Sequence, residues 1–190
     1  MKDREKYQIL LDLVRHQLKN VIWTHKIQEK QADIYAKRYK KLEVASIIIT
    51  SLTVCGIVGI IIQDIFILKI ATALCSFGSV FTAIYSKSFD FRELSLKNKT
   101  AAVQVLIIKN DLYQLIAQIR IMDKEIEKLD DSFTEIMGRL NNLYENMPNT
   151  TDKAVVLAGE ALGVDKKSDI SDQELDCLLP TSLRGRITGA

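Results

Sequence analysis

From Val44 to Ile62 the chain reads VASIIITSLTVCGIVGIII, an uncharged stretch of 19 residues. At about 1.5 Å per helical residue, it can cross the roughly 30 Å hydrocarbon core of a bilayer. A second apolar stretch, IFILKIATALCSFGSVFTAIY, runs from Ile65 to Tyr85 and contains one charge, Lys69, close enough to its end to snorkel toward the head groups. Only Gln63 and Asp64 separate the two stretches, so they are expected to be antiparallel neighbours. A soluble chain of this size would have too little protein to surround two such helices.

Farther along, apolar residues recur at alternating steps of three and four, beginning at Val105 and continuing through Ile108, Leu112, Leu115, Ile119, Met122, Ile126, Leu129, Phe133, Ile136 and Leu140 to Leu143. A repeat sustained at this spacing predicts one long helix over 88–147, stopping near Pro148, with a coiled-coil-like seam. The segment over 3–43 repeats the spacing through Tyr7, Leu11, Val14, Leu18 and Val21. His25 and Gln28 then interrupt it, either as a water-bridged site or as a polar pair that sets register against a specific partner.

The expected fold is all-α, a long antiparallel helical hairpin with two transmembrane spans at 44–62 and 65–85 and extended cytoplasmic helices. The seams can meet within one chain or between copies. Ile108 to Leu140 is taken as a seam that holds an oligomer together.

Residues 1–147 are expected to form the membrane domain and 148–190 a short helical and flexible tail. In the tail, a helix is predicted near Asp152 to Leu162, ended by Gly163, and Ser171 with Glu174 reads as a capping box. The last stretch, TSLRGRITGA, is too polar to order itself.

Charge distribution supplies an orientation. Lys37, Arg38, Lys40 and Lys41 precede the first span, and Lys87, Arg92, Lys97 and Lys99 follow the second. The positive-inside rule therefore expects both termini in the cytoplasm. Met1 to Lys41 holds eleven basic residues against five acidic, so this flank can also attract anionic head groups. The whole chain of 190 residues carries a net charge of only +2, which disfavours nucleic acid as a partner. The first apolar stretch starts more than forty residues in, unlike a cleaved secretory signal.

Little in the sequence points to catalysis, and neither a metal nor a cofactor is expected. His16 and His25 stand nine residues apart, there is no glycine-rich phosphate loop, and Cys55, Cys75 and Cys177 have no metal or disulfide spacing. A small polar stripe is more informative. Lys69, Thr72, Ser76, Ser79, Ala83 and Ser86 recur along the second span, while Ser46, Thr50 and Thr53 lie in the first. Such a stripe serves either close helix packing or the lining of a water path. In the second case Asp90 and Glu93 would stand at the cytoplasmic mouth.

The element AKRYKKLE, the two spans with almost no loop, and the helix opening with FDFRELSLKNKTAAVQVL together resemble the SLATT family over roughly Tyr7 to Tyr144. These are two-span effector domains associated with bacterial nucleotide-second-messenger systems. The resemblance implies a pore-forming or membrane-disrupting effector of antiviral conflict systems in the bacterial inner membrane. No sensor domain of recognisable size is present, so its trigger would come from outside this chain, from a separate sensor or nucleotide-synthesising protein, or from its short tail. The alternative is a membrane-anchored coiled-coil scaffold or adaptor that positions a cytoplasmic partner.

Overall fold

The computed structural model describes residues 2–63, 65–164 and 171–184. Asp64 of the connector and residues 185–190 of the expected tail lie outside the described residues. The elements in order are α1 (Lys2–Ile62), α2 (Phe66–Ser88), α3 (Phe91–Ile121), α4 (Ile126–Glu145), α5 (Asp152–Leu162), α6 (Asp172–Leu178) and a 3-10 turn at Thr181–Leu183. Among the described residues there is no strand. The chain forms two compact units, one of Met1–Gln31 with Lys97–Ala190 and one of Ala32–Leu96. Helix α1 is unbroken over 61 residues, so the N-terminal helix and the first span are one element.

In the first unit the seam closes on itself. Leu11, Val14, Leu18 and Val21 of α1, Leu112, Ile116 and Ile119 of α3, and Leu129 and Leu140 of α4 enter one core with no exposed surface. Burying a leucine or isoleucine side chain stabilises by roughly 1.5–3 kcal/mol, so these contacts dominate the unit. Most of the apolar positions expected as an oligomer seam from Ile108 to Leu140 therefore pack against the same chain. Ile108, Leu115 and Ile136 are buried, and Ile126 and Phe133 pack partly buried against the core.

The single helix expected over 88–147 is corrected, because Phe89 and Asp90 separate α2 from α3 and the chain leaves helical geometry again after Ile121. Met122 adopts φ 54°, a left-handed conformation, and α4 starts at Ile126. The Tyr7 hydroxyl donates to the Lys124 carbonyl at 2.8 Å, supplying a partner in the turn. Reversal here brings Leu129, Ile136 and Leu140 onto the core that an extended helix would have left uncovered.

The C-terminal segment belongs to this unit rather than to a separate tail. Ala154, Ala158 and Leu175 have no exposed surface, and Leu179 is buried beside them in the unit's interior. Gly163, at φ 69°, ends α5 as expected. Ser171 and Glu174 form the expected capping box of α6. The buried Arg15 guanidinium pairs with Asp176 at 2.8 Å, Lys19 pairs with Asp172 at 2.6 Å, and Arg120 donates to the Arg184 carbonyl at 2.6 Å. Residues Thr181–Leu183 are thus ordered despite their polarity.

Gln28 resolves into a specific polar contact. It is buried, and its Nε2 donates to the Pro148 carbonyl at 3.1 Å. One turn on, the buried Gln31 accepts from both the backbone N–H and the hydroxyl of Thr151, each at 2.8 Å. The two glutamines fasten the link between α4 and α5 to α1. Half-buried His25 finds protonation disfavoured, first by desolvation and then by Lys109, so its pKa lies below the ordinary histidine value.

Candidate membrane-spanning site

The second unit holds the two apolar stretches. Of the most apolar stretch in α1, 0% is buried, and of that following Phe66, 6%. Core helices of a soluble protein would be mostly covered; here Ile61, Phe66, Ile67 and Phe77 are each more than 70% exposed. Leaving side chains of this size in water costs about 2 kcal/mol apiece, whereas lipid accommodates them. The helices satisfy their own backbone groups, as a bilayer requires. The chain is a two-span membrane protein.

Close packing joins α1 to α2. A Cβ placed on Gly56 would collide with the Thr72 hydroxyl, one on Gly59 would come within 2.9 Å of Leu68, and one on Gly78 within 3.5 Å of Ile49. These pairings run in opposite directions along the two helices and fix the antiparallel arrangement. Thr72 is 7% exposed and its hydroxyl donates back to the Leu68 carbonyl at 2.8 Å. Thr72 therefore packs inside the hairpin of the single chain, the close-packing arrangement that such a stripe also allows. The hydroxyl of Ser79 is likewise buried, with no hydrogen-bond partner.

The remaining stripe residues stay nearer the surface. Thr50, Lys69 and Ser86 are exposed, while Ser46, Thr53 and Ser76 are half-buried. The Thr53 hydroxyl donates to the Ile49 carbonyl at 2.9 Å. At about 100° per residue, Ser46 and Thr50 stand to one side of the contact line through Ile49 and Gly56, and Ser76 stands in the same rotational sense from Thr72. Since antiparallel helices turn oppositely when viewed along one axis, the same sense places these residues on one flank of the hairpin.

Aromatic residues gather where α2 gives way to α3. Tyr85 and Phe89 rings lie 5.0 Å apart, Tyr35 and Phe91 6.0 Å apart, and the Arg38 guanidinium sits 5.8 Å from the centre of the Phe91 ring. Amphipathic rings of this kind occupy the boundary between hydrocarbon and water. Asp90 Oδ1 accepts from the Glu93 N–H at 2.9 Å, so Asp90 caps α3; both carboxylates are exposed.

The spans, their polar stripe and the basic flank were legible in the residue pattern. Gly56 and Gly59 escaped it, although two glycines three apart in an apolar helix signal a close approach. Among the described residues no group of three or more histidine, cysteine or acidic side chains could hold a metal ion.

A family described as SMODS and SLOG-associating 2TM effector domain family 4 matches residues 10–174. The match reaches beyond Tyr144 and includes α5 and the start of α6, in keeping with their place in the core. The description names no reaction. The chain matches no curated protein and no solved structure. Because the family covers most of the chain, from within the first turns of α1 to Glu174, the protein belongs to the two-transmembrane-helix SLATT effector domains.

Proposed function

We propose that the chain is a homo-oligomeric effector that opens a pore or lesion in the bacterial inner membrane during antiviral defence, with both termini in the cytoplasm. The observation that carries this reading is the polar flank of Ser46, Thr50 and Ser76 on a hairpin whose exposed side chains are mostly apolar. One two-helix hairpin cannot enclose water, so a conducting path requires several copies with their polar flanks turned inward. The seam is used up within each chain, and the spans are left as the surface through which copies meet. Asp90 and Glu93 would then lie near a cytoplasmic mouth. The family description names association with SMODS and SLOG, which supports a separate sensor or nucleotide-synthesising partner as the trigger.

Expression in bacteria with an impermeant dye outside tests the reading, alongside chemical cross-linking of isolated membranes. Dye entry with cross-linked multimers is expected. Multimers in intact, unpermeable cells would instead favour a membrane-anchored scaffold. That second reading draws on Ile9 and Leu13, each more than half exposed beside Ile126, which offer an apolar docking face outside the spans.

A further inference from the structure

Lys37, Lys40, Lys41, Val44, Ala45 and Ile48 line a groove of about 470 Å³ on α1. Steps of three and one place all six on one helical face. The three lysines are exposed and form no ion pair with a described residue, and Glu43 farther along the helix accepts from the Tyr39 hydroxyl at 3.3 Å. The cationic half of the groove is lined by three amines and no carboxylate. Its other half opens the apolar span, with Val44 47% and Ile48 54% exposed.

The depth of the groove follows from its neighbours. Tyr35 and Arg38 of the same helix pack on Phe91, within the aromatic group that marks the bilayer boundary. Lys37 to Lys41 therefore lie at head-group level and Val44 to Ile48 at the start of the acyl region. We propose that this groove binds an anionic phospholipid, its phosphate held by Lys37, Lys40 and Lys41 and one acyl chain laid along Val44, Ala45 and Ile48. Three clustered amines attract a head group of net negative charge, and the apolar floor distinguishes the lipid from free phosphate. The site requires only that the chain be embedded in a bilayer and is independent of pore formation.

Native mass spectrometry of the full chain in detergent, with phosphatidylglycerol and phosphatidylcholine at equal concentration, tests the proposal. Retention of phosphatidylglycerol should exceed that of phosphatidylcholine by at least roughly tenfold. K37Q/K40Q/K41Q should remove the preference with helicity and elution volume unchanged, and A45W should weaken retention with the lysines intact. A control triple substitution, K99Q/K124Q/K128Q, should keep the preference. Equal retention of both lipids, an unchanged preference in K37Q/K40Q/K41Q, or an equal loss in the control would overturn the site. Displacement of the lipid by inorganic phosphate with no effect of A45W would also overturn it, since the groove would then bind phosphate alone.

Discussion

Gly56 and Thr72 touch so closely that no side chain fits on the glycine: a Cβ there would meet the Thr72 hydroxyl. Gly56→Val should separate the spans and destabilise the hairpin by roughly 1–3 kcal/mol, the usual cost of overpacking. Thr72→Ala on that background frees space and should recover part of the loss. Thermal unfolding in detergent checks both variants, and an absence of recovery would break the assigned contact.

Ile119 lies on the core side of α3 with no exposed surface. Ile119→Asp should bury an unpaired charge, cost several kcal/mol and unfold the helical core, whatever the assembly state. Leu112→Ala should cost about 2–5 kcal/mol through loss of burial and the cavity left behind. Circular dichroism melts of the solubilised chain measure both. A stable Ile119→Asp variant that merely failed to assemble would restore the seam to the interface between copies.

His25 gives stability a pH dependence of known sign. Its pKa is lowered in the fold, chiefly by desolvation, so between the folded and unfolded values the unfolded chain binds more protons. Its contribution is present above the unfolded value near 6.5 and is lost as pH falls toward the folded one. Melting temperature should therefore drop more between pH 7 and pH 5.5 for the native chain than for His25→Gln. Equal drops would remove His25 as a source of acid sensitivity.

The apolar stretches announced the spans because a bilayer reads mean hydropathy over some twenty residues, and that information is local. The turn after Ile121 was hidden for a physical reason. Ile119, Met122 and Ile126 keep the three-and-four spacing across it, so the apolar phase runs on although the helix does not. No glycine or proline marks the break; the left-handed residue is Met122. The capping box of α6 was legible but its docking on the core was not, since that rests on Arg15 and Lys19 reaching Asp176 and Asp172 across more than 150 residues. In the spans, residue type marked a polar stripe, but the depth at which Thr72 is buried depends on the absent side chain of Gly56.

Accessibility of the polar flank in a conducting assembly tests the central claim most directly. With Cys55, Cys75 and Cys177 replaced by alanine, a cysteine is placed at Ser76, and at Leu74 as a lipid-facing control. Vesicle leakage is then followed during treatment with a membrane-impermeant thiol reagent. A thiol facing water ionises and reacts, whereas one facing hydrocarbon does not. Ser76→Cys is predicted to react and lose most of its leakage, and Leu74→Cys to leak on unmodified. An Ser76→Cys assembly that leaks while its thiol stays unreactive would contradict a water path along this flank.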